Sequence, residues 1–128
     1  MKCPKIFTSH LGEAKYALAL NEKQFKKLKR SLEIDDRNAS FLDGGNHVGQ
    51  VTYWNHGGKQ IVQIGNTDGL DPIEVVGTFV HESTHVFQGI CNYIGEDHPS
   101  KEFEAYSIQK ITEDLLRSHQ ELTANHDD

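Results

Sequence analysis

Residues 71–95 read DPIEVVGTFVHESTHVFQGICNYIG, and they predict one long helix. Asp71 is a favoured N-cap residue and Pro72 suits the first helical position, so we expect the helix to begin there. Apolar residues recur at helical spacing along the stretch, and Gly95 is the residue type that commonly ends a helix. The stretch therefore indicates a helix whose apolar face packs against the rest of the fold.

The segments around this helix predict an α+β domain. Asn21 and Gln24 form a capping-box pattern, and two runs rich in β-branched and aromatic residues flank NHGG, which favours a hairpin. The expected elements are a strand over 15–21, a helix to about residue 34, a loop over 35–46, hairpin strands 47–54 and 59–65, the helix from Asp71, and a last helix opened by Pro99. We expect a small antiparallel sheet, the hairpin, packed on the two long helices.

Length and composition indicate a single globular domain over residues 1–128. The net charge of −6 is spread along the chain. Lys and Arg concentrate in residues 22–31, where Phe25 and Leu28 lie at helical spacing, so we interpret this segment as a solvated helix face and predict no nucleic-acid binding.

Location and redox state follow from what the sequence lacks. No stretch approaches the roughly 20 apolar residues that a membrane helix needs, and no secretory signal pattern opens the chain. We therefore expect a cytoplasmic protein without a membrane partner. Cys3 and Cys91 lack a CxxC spacing, so we expect two reduced thiols.

The HESTH motif carries the chemistry that the sequence indicates. Residues four apart share one helix face, so His81 and His85 can point their imidazoles at a single zinc ion. Glu82 is rotated by about 100° from His81, which suits a general base outside the metal's own ligands. Two unliganded histidines would be awkward to bury in so apolar a helix, and Gly77 one turn earlier permits close packing near the site.

A catalytic zinc site usually has a third protein ligand and an open position for water. Cys91 stands where a metzincin would place its last ligand, but Gln88 replaces the glycine that would bend the chain there, so we interpret Cys91 as a packed thiol. The candidates that remain after the motif are Glu96, Asp97, His98, Glu102 and Glu104. A glutamate on the last helix would give the His2Glu set of a gluzincin.

Residues 80–88, VHESTHVFQ, and 94–109, IGEDHPSKEFEAYSIQ, resemble the small zincin-like proteins encoded by bacterial phages and prophages. That resemblance implies a minimal zincin-like fold and a metallopeptidase of gluzincin type in the bacterial cytosol. It places the metal ligands on His81, His85 and Glu104, with Glu82 as the base. It brings no substrate, and Ile108 stands where thermolysin-like enzymes have a supporting carboxylate.

Helical geometry also favours Glu104 over Glu102 as the third ligand. Glu104 falls within about 40° of the apolar stripe of the last helix, whereas Glu102 lies about 160° from Glu104. A carboxylate in an apolar stripe needs a partner, and a cation held by the histidine helix would supply one.

Other residues leave alternatives open. The donor that stabilises a developing oxyanion is left among His98, Tyr93 and Tyr106. His47 and His56 in the hairpin are interpreted as surface residues, and Trp54 as a core residue.

The sequence therefore predicts a zinc-dependent hydrolase, most simply a metallopeptidase acting on a peptide or protein. The alternative is a phage-encoded protein of the same fold that binds zinc and a partner but cleaves nothing. A purely structural zinc site is disfavoured, because such sites usually have four protein ligands and gain nothing from Glu82.

Overall fold

A computed structural model of the protein describes residues 3–44 and 48–124. The elements in chain order are β1 (Ile6–Thr8), β2 (Lys15–Ala19), α1 (Glu22–Ser31), a short 3-10 helix (Phe41–Gly44), β3 (Gly49–Trp54), β4 (Lys59–Ile64), α2 (Pro72–Ile94) and α3 (Lys101–Thr123). The predicted α+β class is confirmed. Within the described ranges, no helix combines the length and apolarity needed to cross a bilayer.

The sheet is mixed, so the prediction of a purely antiparallel hairpin sheet is wrong. Its strand order is β1-β2-β4-β3. The β1–β2 and β3–β4 pairs are antiparallel, whereas β2 and β4 run parallel, with Lys15 opposite Lys59. Helix α1 lies between β2 and β4 in the chain, and such a connection lets two strands pair in the same direction. Strand β3 lies at one edge of this sheet.

Helices cover both faces of the sheet. Side chains alternate between faces along a strand, so Ala17 and Ile61 face α1 while Leu18 and Val62 face α2 and α3. Strand β2 is buried on both sides for this reason. The sheet is therefore the middle layer, and α2 lies across it next to β3.

The ends of α2 follow the predicted signals. The Asp71 side chain accepts a hydrogen bond from the backbone N–H of Ile73 at 2.9 Å, and Gly95 ends the helix with φ of +75°. Helix α3 begins at Lys101, two residues after Pro99, because the Ser100 side chain caps it by accepting from the Phe103 N–H.

The segment predicted as a loop over 35–46 contains the 3-10 helix at 41–44. The Leu42 N–H donates to Oε1 of the buried Gln63, which holds this turn against β4. His47, predicted to be a surface residue, lies outside the described residues. His56 is exposed in the turn of the hairpin, and Trp54 packs against Phe25 of α1, as the sequence predicts.

Candidate metal centre

Helix α2 brings His81, Glu82 and His85 together. One ligand atom of each residue lies within 4.8 Å of the other two, and no other such group of His, Cys, Asp and Glu occurs in the described parts of the chain. The two imidazole centroids are 4.8 Å apart and the rings are nearly perpendicular, at 81°. The four-residue spacing thus places both rings over one point beside the helix.

This donor set fits zinc. Two ligands at about 2.0–2.1 Å from one ion are separated by at most about 4.2 Å, so only a small closing movement of these groups is needed. Both histidines are exposed, and exposed side chains make such adjustments by rotation about their own bonds. Imidazole and carboxylate are also the ligands that zinc accepts alongside thiolate.

Gln88 orients one of the two histidines. Its Oε1 atom lies 3.0 Å from Nδ1 of His85. With the proton on Nδ1, the ring donates this hydrogen bond and its Nε2 lone pair is left for a cation. Ile108 cannot support a histidine as a carboxylate would, and the Gln88 amide, three residues after His85, supplies such support.

Glu82 is the buried member of the group, with 5% of its surface exposed. Burial raises the pKa of its carboxyl group, and the positive charge that His81 and His85 carry when protonated opposes that rise. A carboxyl group whose pKa is shifted towards neutrality is suited to accept and return a proton.

The group opens into a groove between α2 and β3, which we call the site groove. It has a volume of about 480 Å³. Its walls are formed by Gly49, Gln50, Val51, Tyr53, Gln60, His81, Glu82, His85 and Gly89. Because side chains alternate along β3, Gly49, Val51 and Tyr53 face the helix, whereas Thr52 and Trp54 face away.

Two glycines bring the walls of the site groove close together. A Cβ atom at Gly49 would lie 3.0 Å from Oε2 of Glu82, and one at Gly89 would lie 2.6 Å from Oε1 of Gln60. The buried Gln60 amide is fixed by a 2.9 Å hydrogen bond from its Nε2 to the Val86 carbonyl. The sequence alone does not point to these residues, since only the packing of the β3–β4 pair against α2 brings Gly49 to Glu82 and Gln60 to Gly89.

Two expectations about α2 are wrong: that His81 and His85 are buried, and that Gly77 packs closely near the site. His81 and His85 are exposed, so no burial cost argues for a ligand between them. Gly77 is also exposed, and a Cβ atom there would meet nothing within 4 Å. The expectation that Gly77 permits close packing is therefore wrong, and Gly49 and Gly89 have that role.

Glu104 lies away from the group. It is exposed, so the prediction that it occupies the buried stripe of α3 is wrong. Phe87 packs against Phe103 and Phe79 against His119, which shows that α2 and α3 run antiparallel and places Glu104 beside residues 87–91 of α2. There it shares a shallow hollow with Gln88 and Cys91.

Glu104 lies away from the group because of the level along α2 at which α3 begins. Cys91 follows His85 by six residues, a rise of about 9 Å along the helix axis. Glu104 is in the first turn of α3 and therefore faces this later part of α2. A helical-wheel projection of α3 gives the direction in which a side chain points, but it does not give the position of that side chain along the axis of α2.

The remaining candidates are also placed by the structure. Cys91 is a buried free thiol, and burial, followed by the charges of Glu96 and Glu104, raises its pKa, so it stays protonated and packed as predicted. Glu96, Asp97, His98 and Glu102 are all exposed and outside the group.

None of the three residues considered as oxyanion donors lines the site groove. Tyr93 packs against Gly12 and Gly58, Tyr106 lines a different hollow, and His98 lies in the turn between α2 and α3. The aromatic residue in the site groove is Tyr53, whose hydroxyl donates to Oδ1 of Asn55 at 2.7 Å. No sequence signal marks Tyr53, because an aromatic residue is ordinary in a strand.

No protein-family model matches the chain, and no curated protein or solved structure matches it significantly. The resemblance described from the sequence, which covers most of the chain and is strongest over residues 80–109, thus stays a prediction.

Proposed function

We propose that the protein is a zinc-dependent hydrolase, a metallopeptidase of zincin-like architecture that cleaves a peptide bond with a metal-activated water. One observation carries this proposal. The ligand atoms of His81, Glu82 and His85 lie within 4.8 Å of one another at the wall of an open groove.

His81 and His85 are the residues that would hold the metal. Zinc bound by these two side chains would supply a Lewis acid that lowers the pKa of a water molecule and polarises a carbonyl group. The Gln88 amide keeps the His85 ring in the orientation that suits a ligand, with Nε2 directed away from the hydrogen bond.

Glu82 has the role of general base and acid. It is next to both histidines yet buried, and burial raises its pKa, so it can take the proton of the attacking water and return it to the departing amine. The close approach of Gly49 helps to bury Oε2 of Glu82. Site pre-organisation by fixed neighbours is what makes such a proton transfer efficient.

An extended polypeptide is the substrate that the site groove favours. β3 is an edge strand of the sheet, and edge strands present N–H and C=O groups that can pair with another chain. A peptide paired with β3 would run past His81 and His85, because Gly49, Val51 and Tyr53 face that side. The partner expected from this geometry is therefore an unfolded or flexible segment of a peptide or protein.

The proposal assigns two protein ligands to the metal, His81 and His85. Glu104 stays a prediction from the sequence, and its exposed position level with Cys91 does not favour it. With His81 and His85 as its only protein ligands, zinc would keep open positions for water and substrate, at a cost in affinity.

The small number of protein ligands at this site favours a second candidate function, a protein that binds zinc and a partner without cleavage. Two exposed histidines without a third ligand would hold zinc loosely, which suits a modest binding role better than turnover. The open edge of β3 serves a bound segment equally well in this case.

Replacing Glu82 by glutamine separates the two functions. The zinc-loaded protein is incubated with a mixture of unfolded proteins, and new termini are identified by mass spectrometry. We expect cleavage by the native chain and a loss of at least about a hundredfold in Glu82→Gln, because the amide cannot accept the proton of water. Zinc content, measured on the same samples, should be unchanged in Glu82→Gln and lost in His81→Ala.

The matched control is Glu74→Gln, an exposed glutamate in the first turn of α2, which should cleave as the native chain does. Equal cleavage by Glu82→Gln and the native chain would rule out the proposed mechanism. A native chain that binds zinc but yields no new termini would favour the binding function instead.

A further inference from the structure

The side chain of Gln60 has a polar atom that the fold leaves unpaired. Gln60 is 1% exposed, yet its Oε1 atom accepts no hydrogen bond from any described residue. An acceptor that is buried without a partner destabilises the folded chain, and native structures contain few such atoms. Oγ of Ser83 is the other such side-chain atom in the described parts of the chain, but Ser83 does not line the site groove, whereas Gln60 does. Gln60 is therefore placed to offer an acceptor to a molecule in the site groove.

Helix α2 sets the orientation of the Gln60 amide. Nε2 of Gln60 donates to the Val86 carbonyl at 2.9 Å. A carbonyl oxygen only accepts hydrogen bonds, so the amide nitrogen must face Val86 and cannot exchange places with the amide oxygen. Oε1 is consequently fixed as a hydrogen-bond acceptor at this end of the site groove.

Gly89 leaves Oε1 of Gln60 without a covering side chain. A Cβ atom at position 89 would lie 2.6 Å from Oε1, so any other residue there would cover or displace this atom. Tyr53 pairs with Gln60 across the β3–β4 ladder, and all three residues line the site groove. We call the part of the site groove between Gln60, Gly89 and Tyr53 the Gln60 subsite.

The Gln60 subsite favours a hydrogen-bond donor without a charge. A carboxylate has no proton to donate to Oε1, and an apolar group would leave this acceptor unpaired. Gly89 follows His85 by one turn, a rise of about 6 Å, so a cation in the subsite would be repelled by the zinc that the histidines would hold. Among the described residues that line the site groove, the one acid is Glu82, and it belongs to the metal centre.

The donor must also be carried on a long side chain. Gln60 belongs to β4, which lies one strand behind β3, the edge strand with which a peptide would pair. Neighbouring strands are about 4.8 Å apart, so a side chain of the peptide has to extend across β3 to meet Oε1. Serine, threonine and asparagine are short, whereas glutamine combines a flexible stem with a terminal carboxamide that donates two N–H groups.

We propose that Gln60 is a specificity-determining residue of the site groove and that it selects a glutamine side chain in a bound polypeptide. The carboxamide N–H of that side chain donates to Oε1 of Gln60 beside Gly89, one turn of α2 beyond His85. The inference rests on the proposed function, because its ligand is an extended polypeptide paired with β3. It applies both to cleavage and to binding without cleavage.

Three capped heptapeptides test the proposal, each with the sequence Thr-Val-Thr-X-Thr-Val-Thr and with glutamine, methionine or lysine at X. Methionine has an unbranched stem but no donor, and lysine carries a charged donor. Each peptide is titrated into zinc-loaded Glu82→Gln, which should bind without cleaving, and amide chemical shifts give the dissociation constant. We expect the glutamine peptide to bind at least about tenfold more tightly than the other two, since it alone pairs Oε1 with an uncharged donor.

Gln60→Met, made in the same background, removes the acceptor and keeps an unbranched side chain. In this variant the glutamine and methionine peptides should bind within about twofold of each other, because no acceptor is left unpaired. Gln109→Met replaces an exposed glutamine of α3 outside the site groove and should keep the preference for glutamine. Thermal unfolding checks that both variants are folded. If Gln60→Met does not fold, the three peptides titrated into the chain with Gln60 unchanged decide the outcome.

The proposal is overturned if the methionine or the lysine peptide binds as tightly as the glutamine peptide, or if the preference persists in Gln60→Met. It is also overturned if no peptide shifts the amide signals around Gln60 and Gly89. Cleavage by the native chain without a preference for glutamine would keep the hydrolase function and exclude the Gln60 subsite. A preference for glutamine in binding, without cleavage by the native chain, would keep the subsite and exclude the hydrolase.

Discussion

Nδ1 of His85 lies 3.0 Å from Oε1 of Gln88, one turn further along the same helix. This contact fixes the orientation of one imidazole through a neighbour that does not itself belong to the metal group. Loss of an outer hydrogen bond of this kind typically weakens metal binding by about 10- to 100-fold.

Gln88→Leu should therefore weaken zinc binding by about 10- to 100-fold, because the His85 ring loses the partner that selects its tautomer. Competition with a zinc chelator measures the change. Gln120→Leu is the matched control, since Gln120 is exposed on α3 away from the site. Equal affinities for the two variants would show that Gln88 does not support the metal.

The pair Glu102 and Glu104 tests the third ligand. Both carboxylates are exposed, and Glu104 faces the region of Cys91 rather than His85. From this position we expect Glu102→Ala and Glu104→Ala to bind zinc within about twofold of each other, whereas a lost ligand costs far more. A severe loss in Glu104→Ala alone, in the same chelator titration, would instead support the ligand set that the sequence resemblance implies.

Two glycines of α2 should respond oppositely to alanine. Gly89→Ala places a Cβ atom 2.6 Å from Oε1 of the buried Gln60, so the helix or the amide must shift, at a cost of about 1–3 kcal/mol. Gly77→Ala meets nothing within 4 Å and gains up to about 1 kcal/mol of helix propensity. Urea unfolding of both variants gives the comparison, and a Gly89→Ala protein as stable as Gly77→Ala would contradict the packing described.

His119 should make the fold less stable in mild acid. Its ring packs against Phe79 at 5.1 Å, and burial lowers its pKa below the value of about 6.5 in an unfolded chain. As the pH falls through that unfolded value, the unfolded state takes up the proton more readily, so the free energy of unfolding decreases.

In His119→Phe this contribution is absent, and the fall in urea midpoint between about pH 7.5 and about pH 5.5 should be smaller than in the native chain. His98→Gln is the control, because His98 is exposed and should leave the pH dependence unchanged. An unaltered pH dependence in His119→Phe would mean that another group is responsible.

Local signals predicted the elements of this fold well. The caps at Asn21 and Asp71 and the stop at Gly95 depend only on neighbouring residues, and each is present in the structure. Strand β1 was missed, because three residues are too few to show alternation. The parallel pairing of β2 with β4 was missed too, since it joins residues more than forty positions apart.

The residues of the candidate site also fall into two groups, those that local spacing predicts and those whose positions depend on tertiary packing. His81, Glu82 and His85 lie within two turns of one helix, so their spacing alone predicted their proximity. The position of Glu104 depends on where α3 begins beside α2, and the position of Gly49 depends on the strand order of the sheet. Both positions are consequences of tertiary packing, which a helical-wheel projection of one helix does not describe.

The edge position of β3 has a further consequence for how the protein behaves in solution. Its sequence, GQVTYW, contains no charged residue and no proline, the residues with which proteins usually protect an edge strand from pairing with copies of themselves. An edge strand that can pair with a peptide can pair equally well with β3 of an identical chain. We therefore expect this protein to have a tendency to self-associate. A bound peptide, by occupying β3, would thus also keep the molecules apart.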